Sequence, residues 1–369
     1  MPNRAVVFGC WGQLGLELVA ELERRGYQVF ATDRADLDIT DRGRVESHLA
    51  EVDPQVVFNA AAHNQVDVAE EEPQAAFVVN ALAVRNIALG CRQVNAQLVH
   101  YSTDYVFDGR AGRPYTEDDA PHPLGAYAVS KLAGEICAQA YLEAPLLIRT
   151  SGVFGPGGLK TARGNFIEMM LRLASGGKPI RVVEDHVASP TYAPALAARS
   201  VDLYERNLRG LFHVAGGVPI SWFNFARLIF EVAGLHPELR ATNEREYRTV
   251  AHRPKFSALS NAKMEAAGLA PMPSLEACVR DYFRRRAERV EPPGQDAVDE
   301  VRQGHQDEDA HGQVPRLRPG VLVFQQNHER GHQQQADDAD AVGPVQALPG
   351  LVHVDVHGLS RGFLGVIMA

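Results

Sequence analysis

The sequence predicts an α/β fold built on a doubly wound parallel sheet, with a smaller part interleaved with its last strands. Three observations carry this. Short apolar runs alternate with helical patterns through the first 150 residues, as expected of a parallel sheet covered on both faces. A glycine-rich turn joins the first of these runs to the first helical pattern. Beyond residue 150 the texture shifts to glycine and proline clusters between helical segments, as in Phe154-Gly155-Pro156-Gly157-Gly158.

Taken in order, residues 5–9 (Ala-Val-Val-Phe-Gly) are an apolar run closed by glycine, which suits a strand buried on both faces. From Leu14 to Arg25 the residues Leu14, Leu18 and Leu22 repeat on one helical face, and Gly26 ends the pattern as a C-terminal helix glycine does. Gln28 to Ala31 reads as the second strand, Val56-Val57-Phe58 as the third, residues 73–95 as a helix, and Leu98 to Tyr101 as the fourth strand. A helix over 127–141 and a strand at Leu146-Leu147-Ile148 complete a first part, residues 1–150. Residues 151–288 carry helical patterns over 165–175, 222–233 and 275–288 and are expected to form the smaller, substrate-binding part. The last 81 residues, 289–369, hold only Phe324 and Phe363 of the 27 aromatics, together with six of the 14 histidines and runs such as Asp337-Asp338-Ala339-Asp340. Such a stretch cannot bury much of a core, so a disordered tail is expected; a shifted reading frame is the second reading. No function is placed there.

Composition narrows the class. At 369 residues, 45% hydrophobic and 22% charged, the chain can bury a sizeable core. No apolar run approaches the roughly 18 residues of a membrane-spanning helix, and Met1-Pro2-Asn3-Arg4 leads into the first strand with no signal-peptide pattern. A formal charge of −9 argues against nucleic acid or an anionic membrane as partner. Cys10, Cys91, Cys137 and Cys278 are scattered, with no metal-ligand or Cys-x-x-Cys spacing. A cytoplasmic enzyme is the expectation.

Gly9, Gly12 and Gly15 make Gly-x-x-Gly-x-x-Gly between strand and helix. Glycines there permit a tight turn, close approach of backbone N–H groups to a pyrophosphate, and close helix–strand packing, and the helix N-terminus adds partial positive charge. This predicts a Rossmann-type dinucleotide site. Asp33, at the end of the second strand, would bond the adenosine ribose and favour NADH; Arg34, next to it, would pair with a 2′-phosphate and favour NADPH. Use of both, with NADPH preferred, is expected. Asp38-Ile39 would flank the adenine or form an ordinary loop.

Tyr127 and Lys131 stand four apart and share a helical face. A neighbouring ammonium favours the phenolate, which would make the tyrosine a proton donor or acceptor near neutral pH, and the lysine can also hold the nicotinamide ribose. Ser102-Thr103-Asp104 follows the fourth strand, at the edge where doubly wound sheets build their sites, and a hydroxyl there can bond the substrate oxygen. Turn capping is the plain alternative for such residues.

These residues resemble the extended short-chain dehydrogenase/reductase superfamily and, within it, the dTDP-4-dehydrorhamnose reductase family. The shared phrases are Gly12-Gln13-Leu14-Gly15, Asn59-Ala60-Ala61-Ala62, Ser102-Thr103-Asp104-Tyr105-Val106-Phe107-Asp108-Gly109, Lys131-Leu132-Ala133-Gly134-Glu135, Arg149-Thr150-Ser151, Asn165-Phe166-Ile167, Ser189-Pro190-Thr191-Tyr192 and Arg253-Pro254. The resemblance spans residues 4 to about 288. It implies that Gly12, Gln13, Leu14, Asp38, Ile39, Ala62, His63, Asn64, Tyr101, Tyr127 and Lys131 line the cofactor, that Thr103 and Asp104 meet the sugar, and that the substrate is a nucleotide sugar. The superfamily's 4,6-dehydratases carry Asp-Glu after the threonine; here Asp104 is followed by Tyr105, which leaves simple carbonyl reduction.

Three departures fall on the substrate side. His63-Asn64 stands where the family has Tyr-Thr, Gly152 replaces a tryptophan that stacks on the substrate, and Asp185-His186-Val187-Ala188 replaces Asp-Gln-x-Gly. Losing an aromatic platform removes contact area. Glu17 matches a magnesium ligand at a dimer contact of some relatives, but the second ligand position is Pro194, so no metal is predicted and a homodimer rests on the resemblance alone. The reduction of dTDP-4-dehydro-L-rhamnose leads; reduction or epimerisation of another nucleotide sugar, and a non-catalytic NADP-binding regulatory subunit, are the alternatives.

Overall fold

A computed structural model of the chain describes residues 3–160, 164–246 and 248–290. Apart from the last turn of the final helix, the expectation for residues 289–369 lies outside the described residues.

The chain alternates strand and helix from the start. Strand β1 (Arg4–Phe8), helix α1 (Gln13–Arg24), β2 (Gln28–Thr32), α2 (Arg42–Val52) and β3 (Val56–Asn59) come first. Short helices α3 (Val66–Glu71) and α4 (Pro73–Phe77) then lead through a π-turn at Val78–Leu82 into α5 (Ala83–Val94) and β4 (Gln97–Thr103). Helix α6 (Ala126–Tyr141), β5 (Leu146–Thr150), β6 (Val153–Phe154), α7 (Phe166–Ser175), β7 (Ile180–Val183), β8 (Val187–Ala188) and β9 (Thr191–Tyr192) follow. The chain continues with α8 (Ala193–Glu205), β10 (Gly210–His213), β11 (Ile220–Ser221), α9 (Trp222–Ala233), β12 (Leu239–Thr242), α10 (Ala262–Ala266) and α11 (Leu275–Val290).

Six strands form one parallel sheet in the order β10-β5-β4-β3-β1-β2. Because strand side chains alternate between faces, Ala5 and Val7 join one core with Phe58, Val99 and Ile148, beneath α1 and α8. Val6 and Phe8 join the opposite core with Val57, Leu98 and Leu147, beneath α2 and α5. Each such side chain taken from water is worth about 1.5–3 kcal/mol. A third core packs Phe154, Phe166, Ile167, Trp222, Phe225 and Tyr282 among α7, α9 and α11.

The chain passes from β2 on one side of β1 to β3 on the other, so the order of strands reverses beside β1. Doubly wound sheets open a crevice at the carboxyl ends of their strands at such a point. Phe8, Thr32 and Asn59 lie level in register there, and the site is assembled above them.

Two differences from the sequence reading have clear causes. The helix expected over 73–95 runs from Pro73 to Val94 but widens at Val78–Leu82 into the π-turn, where Asn80 is 1% exposed. The whole stretch Pro73–Val94 is long and apolar enough to cross a membrane by length and composition, yet 61% of its most apolar window is buried inside the protein. Ser102 and Thr103 do not follow the fourth strand but end it, since β4 runs to Thr103 paired with Thr150 of β5.

Candidate active site

The glycine turn has the shape that a dinucleotide needs. Gly9 has φ +76°, and a Cβ there would lie 2.7 Å from the backbone nitrogen of Ala61. A Cβ on Gly15 would lie 2.1 Å from the Gly9 carbonyl oxygen, so α1 can approach β1 only with glycine at that position. Gly12 caps α1 without a side chain and donates its N–H to the Gly9 carbonyl at 3.1 Å. The next backbone N–H groups of the first turn lack helical partners and are available to a phosphate. Gln13 ties the turn to the second part of the chain, donating from Nε2 to the Val153 carbonyl at 2.8 Å. Leu14 is half-buried behind it.

At the end of β2, Asp33 is half-buried and Arg34 exposed. The Arg34 charge acts on Asp38, whose carboxyl is held below the usual range mainly by hydrogen bonds from Thr40 N (2.9 Å) and Thr40 Oγ1 (2.8 Å). Asp38 therefore builds the turn as well as bordering the site. Ile39 is buried, and its carbonyl accepts from Asn86 Nδ2 at 3.3 Å.

After β3, Ala62 and Asn64 are exposed and His63 is half-buried. Sequence reading missed the residue that fixes this loop. Asn80 accepts from His63 N and donates to His63 O, both at 2.9 Å, and also donates to Ser130 Oγ at 3.0 Å. Ser130 in turn donates to the Tyr127 carbonyl at 2.7 Å. The loop and the Tyr127 turn of α6 are thus held by one amide. The only sequence signal would have been an asparagine inside an otherwise apolar helical stretch.

Tyr127 and Lys131 do share a face of α6. The Tyr127 phenol stands beside the Thr103 hydroxyl across the gap between α6 and β4. The expected effect of the lysine on the phenol is absent: Lys131 donates from Nζ to the Tyr101 carbonyl at 2.6 Å. Burial, with the Asp104 charge adding to it, pushes the Tyr127 phenol up to about 12, and the neighbouring Thr103 hydroxyl opposes this only in part. Burial also brings the Lys131 ammonium down to about 8, with Glu135 opposing. The phenol is thus a proton donor at neutral pH.

Thr103 is 6% and Asp104 3% exposed. Thr103 Oγ1 accepts from Tyr105 N at 3.2 Å and donates to Asp104 Oδ1 at 3.2 Å. The other Asp104 oxygen accepts from Ser151 (2.8 Å) and Ser257 (2.5 Å). Its carboxylate faces the protein, and burial raises it to about 6 despite the three hydroxyl donors. Gly152, at φ +49°, is not an empty platform: a Cβ there would sit 3.0 Å from the Trp222 indole, which covers it from α9 and packs edge-on against Phe166. Glu17 is paired with Arg285 at 3.6 Å.

The profile of the RmlD substrate binding domain matches residues 3–287. The spore coat polysaccharide biosynthesis protein SpsK of Bacillus subtilis is 37% identical over 285 residues, 77% of this chain and 98% of that protein. A dTDP-4-dehydrorhamnose reductase of Mycobacterium tuberculosis is 38% identical over 276 residues, 73% of this chain and 89% of that enzyme. The crystal structure of a Bacillus anthracis dTDP-4-dehydrorhamnose reductase in complex with NADP is 34% identical and superposes with a TM-score of 0.74, covering 77% of this chain and all of that one. With the match running through the glycine turn, the Tyr127–Lys131 helix and the Trp222 core alike, the chain belongs to the dTDP-4-dehydrorhamnose reductase family.

Proposed function

We propose that the chain reduces the 4-keto group of dTDP-4-dehydro-L-rhamnose with NADPH, the step that yields dTDP-L-rhamnose. The observation that carries this is a half-buried, protonated phenol, Tyr127, set beside the strand-end hydroxyl of Thr103 and one helical turn from Lys131, together with a glycine cradle. The cradle fits a dinucleotide because glycine at 9 and 15 lets the turn close onto the loop after β3 and lets α1 close onto the turn, which brings the first-turn N–H groups of α1 to where a pyrophosphate would lie. Gly12, Gln13 and Leu14 would hold the pyrophosphate, Asp33, Arg34, Asp38 and Ile39 the adenosine end, and Ala62, His63, Asn64, Tyr101 and Lys131 the nicotinamide end. NADPH, when bound, supplies the hydride; NADH is accepted less well.

The chain's own work is with protons and position. Tyr127 gives its phenolic proton to the C4 oxygen as negative charge develops there. Thr103 turns its single proton from Asp104 to the same oxygen, while Asp104 keeps both serine donors. Lys131, released from the Tyr101 carbonyl, orients the coenzyme ribose and lends its charge to the phenol. Residues 1–150 form the coenzyme part in this reading and 151–288 the substrate part, with Gly152 and Trp222 as one wall of the sugar site.

The test is loss of NADPH absorbance on adding dTDP-4-dehydro-L-rhamnose to purified protein, with the 4-hydroxy product identified by mass and NMR. Tyr127→Phe should lower turnover about 10²–10⁴-fold with the NADPH dissociation constant unchanged. Turnover near that of the unaltered protein, measured where chemistry limits the rate, would assign the proton to another donor.

A further inference from the structure

The helix that carries Tyr127 is capped from another part of the chain. At its start Gly125 is extended and has no side chain to offer the first turn. Val129 N donates to the Gly125 carbonyl at 3.0 Å, so the N–H groups before it lie outside the helical ladder. Ala126 finds its partner 56 positions away: its N–H donates to Glu70 Oε1 of α3 at 2.7 Å. A Cβ at Gly125 would lie 2.3 Å from that same oxygen, so glycine there is what lets the carboxylate reach the helix.

The support behind Glu70 is itself anchored. On the same face of α3, three residues earlier, Asp67 makes a bidentate ion pair with the buried Arg253, at 3.0 and 2.8 Å. Asp67 also accepts from Ala251 N at 3.0 Å. Glu70 is half-buried between this anchor and α6. The residue after Ala126 is Tyr127. Its ring meets the Tyr105 ring edge-on, with centroids 6.1 Å apart and planes at 88°, and its carbonyl accepts from Ser130. Ring and carbonyl are thus steadied by their neighbours, and the start of the helix by Glu70.

We propose that Glu70 is a positioning residue for the proton donor: by capping α6 at Ala126 it sets where the Tyr127 phenol stands relative to Thr103. This inference rests on the reading that Tyr127 gives the proton, and the experiment separates the two. Proton transfer needs closer placement than binding does, and a shift of about 1 Å can cost about 10²-fold in rate. One cap bond is small against the stability of a whole chain, so its removal leaves the fold standing.

Glu70→Ala should lower turnover of dTDP-4-dehydro-L-rhamnose about 10-fold or more, with the NADPH dissociation constant unchanged. Glu70→Gln keeps an oxygen for the Ala126 N–H and should stay within about threefold of the parent. In a Tyr127→Phe background Glu70→Ala should cost little more, because the group it places is already gone. An equal loss in both backgrounds is a general structural effect and overturns the proposal. So does turnover near the parent's in folded Glu70→Ala, or a Glu70→Gln variant no better than Glu70→Ala. A second readout needs no substrate. With ring-labelled tyrosine, Tyr127 is assigned among the ten tyrosines by its loss in Tyr127→Phe. Its resonance should move in Glu70→Ala and return in Glu70→Gln, and a resonance unmoved in Glu70→Ala overturns the proposal. If Tyr127→Phe turns over like the parent, the donor reading falls, and the resonance alone decides whether Glu70 places Tyr127.

Discussion

Asp104 gives a stability prediction that needs no substrate. Its carboxylate is 3% exposed and accepts from Thr103, Ser151 and Ser257, and among the described residues no ion pair offsets its charge as one usually does for a buried acid. Burial consequently raises it to about 6, from an ordinary value of 3.8. A raised acid is protonated more readily in the folded chain than in the unfolded one, so its ionised form costs folding free energy. The cost is absent below the unfolded value, grows as the pH rises from about 4 to 6, and is full above 6. At roughly 1.4 kcal/mol per pH unit, the full cost is about 3 kcal/mol. Asp104→Asn removes the titration while keeping the shape, and its amide can donate to the serine oxygens. Remade hydrogen bonds shift the stability difference between variant and parent by a constant; the ionisation shifts it with pH. Urea unfolding at pH 5 and pH 8 should show the variant gaining about 1–2 kcal/mol relative to the parent between those two values. A difference independent of pH, or one that moves against the variant, would show that the folded carboxylate is as easily ionised as the unfolded one.

Three further outcomes follow from the turn and its surroundings. Gly15→Ala should destabilise the chain by about 1–3 kcal/mol and weaken NADPH binding, because its methyl would lie 2.1 Å from the Gly9 carbonyl. Gly12→Ala, with 3.3 Å to the same oxygen, should be distinctly milder in thermal unfolding, and equal effects would refute the packing account. Arg34→Ala should raise the Michaelis constant for NADPH and leave that for NADH, because a guanidinium pairs with a 2′-phosphate and gains nothing from a ribose hydroxyl. Equal changes for both coenzymes would move the 2′ contact elsewhere, beginning with Asp38.

Most of the sheet is legible in the sequence because each central strand is buried on both faces. Val6, Val57, Leu98 and Leu147 face one core and Val7, Phe58, Val99 and Ile148 the other, so the strands read as unbroken apolar runs. The helix α2 escapes such a reading. It buries only Val45, Leu49 and Val52 among eleven residues, and its start is marked by one capping aspartate, Asp41, which accepts from Arg44 N at 3.1 Å. Helix α8 is hidden by Pro194, which reads as a breaker but stands in the first turn, where proline costs a helix nothing. Strand β10 has only four residues, two of them fully buried, and it joins the sheet beside β5 through a contact no local pattern encodes.

The site divides along the same physical line. Spacing on one helix and position at a strand end are local properties, and they bring Tyr127, Lys131 and Thr103 together as the sequence suggests. The charge state of these groups is not local. The sequence sets an ammonium four residues from a phenol and implies a lowered phenol, but the lysine turns to the Tyr101 carbonyl and burial raises the phenol instead. The groups that decide the matter come from elsewhere in the chain. Ser257 lies 153 residues from Asp104, and Trp222, which covers Gly152, belongs to a helix of the other core. Gly152, where the family carries a tryptophan, is therefore covered by Trp222, which stands against it from the other core. Two or three close residues can name the chemistry of such a site, whereas its proton affinities and its walls depend on what the fold brings against them.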